Sequence, residues 1–130
     1  MILADTSAWI EFLRGTGSDV NTRLRALLET DELATTDVVL MELLAGAADD
    51  RHRDRLRSLL GRCEFVPTDG PGDYEDAADL YRACRAAGDT VRALTDCLIA
   101  SVAIRTRIGV LHADRDFDVI ARHTPLQLVR

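Results

Sequence analysis

Five carboxylates stand where a carboxylate is either costly or aimed. Glu42 follows four apolar residues (38–41) and precedes three more (43–45). A helix that is apolar on every side is buried on every side. An ionised carboxylate inside such a helix costs several kcal/mol unless it is paired or holds a cation. Asp5 ends the apolar run 2–4, and Asp114 ends the run 109–113. In open parallel sheets, ligands bind beyond the carboxyl ends of the strands. Asp96 lies in the opening turn of an apolar helix, at the margin of the stripe Leu94, Leu98, Ile99 and Val102 and in one row with Ala100 and Ala103. Asp116 follows Asp114 by two residues. Taken singly, each has a plainer use: Asp5, Asp96 or Asp114 can cap a helix, and Glu42 can pair with an arginine.

Taken together they have a sharper one. If strand ends and helix faces converge, Asp5, Glu42, Asp96 and Asp114 line one acidic pocket with Asp116 beside it. Two carboxylates ~4 Å apart repel by roughly 4 kcal/mol at an effective dielectric of about 20, so the cluster demands protons or cations. An all-oxygen ligand set suits Mg2+ or Mn2+ rather than zinc. Such an ion activates water and stabilises the charge of a phosphodiester undergoing displacement.

Composition limits the alternatives. The 130 residues carry sixteen arginines, no lysine, sixteen aspartates and six glutamates, for a formal charge of −6. Without lysine there is no phosphate-cradling Gly-x-x-x-x-Gly-Lys loop, no Schiff-base chemistry and no match to the lysine of phospho-receiver domains. The acidic balance speaks against a simple electrostatic nucleic-acid binder, which needs a basic surface. Apolar residues make up 47%, enough for a core without staples. No uncharged stretch approaches the ~18 residues of a membrane span, and the N-terminus lacks the basic region of a secretory signal. Cys63, Cys84 and Cys97 are odd in number and lack metal-ligand spacing, as expected of reduced thiols in a cytoplasmic protein.

The elements that must position the acids follow from the same rows. Short apolar strands are expected at 2–4, 33–35, 64–67, 109–113 and 125–129. Helices are expected at about 8–13, 18–30, 38–45, 49–60, 74–87, 95–107 and 117–122. Residues 68–73 form the clearest loop. Strands alternating with helices imply an α/β sandwich with a mainly parallel sheet, and no linker or repeat divides the chain.

These motifs resemble a known family. Asp5-Thr6-Ser7, Glu42 in Met-Glu-Leu-Leu-Ala-Gly, Asp96 in Thr-Asp-Cys-Leu-Ile-Ala and Asp114 in His-Ala-Asp-Arg-Asp-Phe are similar to those of PIN-domain ribonucleases, most closely the VapC-type toxins of bacterial toxin–antitoxin pairs. The resemblance covers essentially the whole chain. It implies one PIN-like domain over 1–130, a three-layer sandwich with a mainly parallel central sheet flanked by helices. It also implies Mg2+- or Mn2+-dependent cleavage of structured RNA (tRNA or rRNA), a homodimer, and inhibition by a small VapB-type antitoxin. Asp5, Glu42, Asp96 and Asp114 fall on the family's acidic metal site, and Asp116 on a further acidic position that many members share. Ser7 or Thr6 matches a hydroxyl that orients the first aspartate or a metal-bound water. Arg92 matches a basic residue before the third acid, suited to phosphate or to a surface ion pair.

Other residues stay open. His112 reads as a packed strand histidine more than as a general base. Trp9, Ile10, Phe12 and Leu13 offer either a groove for an antitoxin helix or core. Arg14 and the arginines of 51–57 either track RNA or solvate a helix. Two other functions compete: a PIN-like interaction protein that binds RNA or an antitoxin without cutting, and a small-molecule phosphatase. The segment after the first strand is Asp5-Thr6-Ser7, without the Asp-x-Asp that aspartyl-phosphate enzymes use, which counts against the phosphatase.

Overall fold

The structure, a computed structural model, describes residues 1–129; residue 130 of the expected domain lies outside the described residues. Four short strands form one sheet: β1 (Ile2–Ala4), β2 (Leu33–Thr35), β3 (Glu64–Phe65) and β4 (Gly109–Leu111). Their order is β3-β2-β1-β4, and every pairing is parallel. Strand β1 is central, with Leu3 opposite Ala34 on one side and Val110 on the other.

Helices α1 (Thr6–Leu13) and α2 (Asp19–Glu29) connect β1 to β2. Helices α3 (Asp37–Ala45) and α4 (Asp50–Leu60) connect β2 to β3. Helices α5 (Gly72–Ala86) and α6 (Leu94–Thr106) return from β3 across the sheet to β4, and α7 (Arg115–His123) follows. The first two crossovers step one way and the third steps back. Right-handed connections therefore put α5 and α6 on the face opposite α1–α4. The contacts agree: α1 packs on α2, α3 on α4, and α5, α6 and α7 on one another. The result is the expected three-layer α/β sandwich. Among the described residues, no helix is long and apolar enough to cross a membrane.

The core gathers on the sheet: Leu3, Leu33 and Val110 are fully buried, as are Trp9, Leu24 and Val39 of α1 to α3 and Ile99, Phe117 and Ile120 of α6 and α7. The order in which strands are added reverses between β1 and β4, and such a switch point opens a crevice beyond the strand ends. The Asp5 N–H donates to Leu111 O at 2.9 Å, which carries the β1–β4 ladder to the lip of that crevice.

Several boundaries differ from expectation. The strand expected at 125–129 is a single bridge: Leu128 pairs with Val110, supported by Val110 N–H to Gln127 O and Val129 N–H to Val110 O. The Val129 side chain lies 3.1 Å from where a Cβ on Gly109 would stand, so glycine there admits the close approach. Strand β3 covers only two residues, both exposed, and β4 stops at Leu111. Helix α3 is not buried on every side: Met41 is 59% exposed and Glu42 half-buried. Its apolar outer face is surface. All three cysteines are free thiols.

Candidate metal centre

Each acid is placed by the end of an element. Asp5 ends β1 and also caps α1: its Oδ2 accepts from Ser7 N–H at 3.0 Å and from Ser7 Oγ–H at 2.6 Å. The cap uses only Oδ2 and leaves Oδ1 without a hydrogen bond. Ser7 Oγ in turn accepts from Ala113 N–H at 2.9 Å. One hydroxyl thus ties the turn after β1 to the turn after β4. Asp114 caps α7 through Asp116 N–H. Asp96 sits in the first turn of α6, which starts at Leu94 after Ala93, so Thr95 and Asp96 are not its caps. Glu42, one turn from the end of α3, accepts from Thr6 Oγ–H at 2.9 Å and has no arginine partner among the described residues.

Asp96, Asp114 and Asp116 each offer an oxygen within 4.8 Å of the others. Asp5 and Glu42 stand outside that tight group; Asp5 is coupled to it by charge, and Glu42 is coupled to Asp5. The charge of Asp5 raises the pKa of both Glu42 and Asp96, and Asp114 raises that of Asp5. In all three acids burial is the largest cause of an upward shift. Asp96 is pushed to about 8 by burial, then by Asp5, by its hydrogen bond with Asp116, and by the charges of Asp114 and Asp116. Burial also works to raise Asp116, but hydrogen bonds from Asp96 and from the Arg92 backbone and guanidinium outweigh it, and Asp116 stays below the usual carboxylate range. Without a cation, Asp96 is the member of that pair that keeps the proton.

Two oxygens in the cluster are left over. Asp5 Oδ1 and Asp96 Oδ2 are buried and accept no hydrogen bond, on residues only 2% and 6% exposed. A buried carboxylate oxygen without a donor costs about 1–3 kcal/mol. Divalent cations remove that cost, and a carboxylate-only donor set fits Mg2+ or Mn2+.

Arg92 makes an ion pair, the second of its two open readings. Its Nη2 lies 2.8 Å from Asp114 Oδ1 and its Nε 3.2 Å from Asp116 Oδ1. His112 packs on Phe117, and its Nδ1 accepts from Asp114 N–H. It shapes the turn that presents Asp114. Trp9 is wholly buried and belongs to the core, while Phe12 stacks edge-on to it. Ile10 and Leu13 instead line a groove of about 350 Å³ with Leu43, Leu56, Arg14 and His52, which reaches Thr6 and Glu42. Sequence reasoning missed the Ser7–Ala113 link, whose partners lie 106 residues apart. It also passed over Thr35, which buries a hydroxyl without a partner at the carboxyl end of β2.

A β3-β2-β1-β4 parallel sheet with acids gathered beyond β1 and β4 defines a class of α/β nuclease-like domain. The family model of the PIN domain matches residues 2–123. VapC ribonuclease Mb1587 of Mycobacterium bovis is 46% identical over 129 residues, spanning 98% of this chain and 96% of that protein. Ribonuclease VapC11 of Mycobacterium tuberculosis matches to the same extent. Among solved structures, FitAcB from Neisseria gonorrhoeae superposes with a TM-score of 0.74 at 23% identity, covering 100% of this chain and 97% of that one. VapBC2 from Rickettsia felis, bound to a DNA fragment from its promoter, gives 0.73 at 21%, covering 99% and 98%. The chain belongs to the PIN-domain family and, within it, to the VapC ribonucleases.

Proposed function

We propose that this ribonuclease is a Mg2+- or Mn2+-dependent endoribonuclease acting in the cytoplasm as the toxin of a toxin–antitoxin module, with structured RNA (tRNA or rRNA) as its substrate. The observation that carries the metal reading is the pair of buried, unpartnered oxygens, Asp5 Oδ1 and Asp96 Oδ2, within one acidic cluster at the switch point of the sheet.

Asp5, Glu42, Asp96 and Asp114 are the residues that would hold the ion, directly or through water, with Asp116 alongside. When bound, a divalent ion supplies a water of lowered pKa and a Lewis acid for the phosphodiester. The chain's own residues do the rest. Ser7 fixes the rotamer of Asp5 by donating to Oδ2, which leaves Oδ1 directed elsewhere. Thr6 holds Glu42 in the same way. Asp96 must lose its proton for the cluster to take a cation, since metal ligation requires the ionised form.

The solved VapBC complexes are toxin–antitoxin assemblies. The groove beside Glu42, with its apolar wall and Arg14 at the rim, suits an apolar segment of such a partner. The large exposed side chains Met41 and Leu94 leave surface for a homodimer. Incubation of the purified protein with total RNA and Mn2+ tests the function. The account expects endonucleolytic products with 5′-phosphate and 3′-hydroxyl ends, lost in EDTA. Partner binding without cleavage would favour the non-catalytic interaction protein instead.

A further inference from the structure

The acid cluster already contains a cation of its own. We propose that Arg92 is the resident counter-charge of the Asp114–Asp116 half of the site, so that the centre takes one divalent ion, on the Asp5–Asp96 side, rather than two. This rests on the metal-dependent reading above and deepens it.

A carboxylate offers two oxygens with about four lone-pair sites in all. Asp116 Oδ2 accepts from the backbone N–H of Arg92 at 3.1 Å and of Ala93 at 3.3 Å, and its Oδ1 accepts from Arg92 Nε at 3.2 Å. Asp114 Oδ1 accepts from Arg92 Nη2 at 2.8 Å and from Asp116 N–H at 3.0 Å. Asp5 Oδ1 and Asp96 Oδ2 accept nothing. An ion held there would take the place of the Asp96 proton and its hydrogen bond with Asp116, and would leave the Arg92 contacts intact. Asp114 Oδ2 takes no part in these contacts, but both oxygens of Asp116 are taken, so an ion shared by Asp114 and Asp116 would compete with the Arg92 guanidinium, which binds one oxygen of each. Two-ion hydrolytic sites place their ions roughly 3.5–4 Å apart. Oxygens of Asp96, Asp114 and Asp116 all lie within 4.8 Å of one another, so a second ion and the guanidinium compete for the same small space.

The segment between α5 and α6 is pinned to α7 at both ends. At its start, Asp89 Oδ2 accepts from Arg122 Nη1 at 2.7 Å and lies 3.1 Å from His123 Nε2, at the end of α7. At its finish, the N–H groups of Arg92 and Ala93 sit on Asp116, in the first turn of α7. These bonds fix the Arg92 backbone beside the acids, and its side chain, 62% exposed, reaches back to them through Nε and Nη2.

The test counts ions. Mn2+ binding is measured by calorimetry and by the EPR signal of free Mn2+ for the unaltered protein, Arg92→Gln and Asp5→Asn, with circular dichroism to verify folding. One ion is expected in the unaltered protein, two in Arg92→Gln, and at least tenfold weaker binding in Asp5→Asn. Two ions in the unaltered protein overturn the proposal whatever the variants do, and so does a folded Arg92→Gln that still takes one. Both results leave metal dependence standing. No Mn2+ binding in any form removes the metal reading itself, and this inference with it.

Discussion

At the residue scale, the site is a set of destabilising choices. Asp5 and Asp96 give up solvation without full hydrogen bonding, and Asp96 holds its proton to about pH 8. The unfolded chain loses that proton near 4, the ordinary aspartate value. Between about pH 4 and 8 the unfolded state therefore binds fewer protons than the folded one. Metal-free stability falls as pH rises through that window. Asp96→Asn removes the charge and keeps the shape. It is expected to abolish RNA cleavage while raising the metal-free Tm at pH 8 by roughly 3–6 °C, a shift of about 1 kcal/mol or slightly more for a domain of this size. Cleavage assays and thermal melts of the same preparation check both halves. Ser7→Ala acts one step out: loss of the hydroxyl that orients Asp5 and bridges to Ala113 is expected to weaken Mn2+ affinity or activity by about 10–100-fold, the usual cost of an outer-shell partner, with the fold retained.

At the element scale, stability and chemistry rest on different contacts. Asp73, 1% exposed at the start of α5, takes the Arg105 guanidinium of α6 on both oxygens, and Arg105 also donates to Pro67 O. Arg105→Ala strands that carboxylate and is expected to cost about 3 kcal/mol, read by urea denaturation, with little effect on cleavage per folded molecule. This pair was invisible in the sequence because its partners lie 32 residues apart, at the start of α5 and near the end of α6. The Arg92 contacts were hidden likewise, across 22 and 24 residues. What the sequence did reveal was local: an apolar run ending in a carboxylate marked Asp5 and Asp114, and an acid inside an apolar helix marked Glu42 and Asp96. It overstated the burial of α3, because hydropathy does not separate a core-facing residue from an exposed one such as Met41. It overstated the strand at 125–129, where hydrogen bonds on one side of β4 are all the pairing available.

At the scale of the whole molecule, the charge of −6 changes meaning once it is placed. On the proposed reading, one divalent ion held by the acidic cluster would remove two of the six charges. The attraction for phosphate then comes from the ion and from fixed guanidinium groups rather than from net charge. Because the ion binds the deprotonated cluster, added Mn2+ is expected to raise Tm more at pH 8 than at pH 5.5, the opposite of the metal-free trend. A pH-independent metal effect would contradict this placement of the ion. The most direct test of the central claim is a cleavage assay on total RNA with Mn2+, with EDTA, and with Asp96→Asn. The account predicts discrete fragments with 5′-phosphate ends in the first and intact RNA in the other two. Full cleavage in EDTA, or by a folded Asp96→Asn protein, would contradict it.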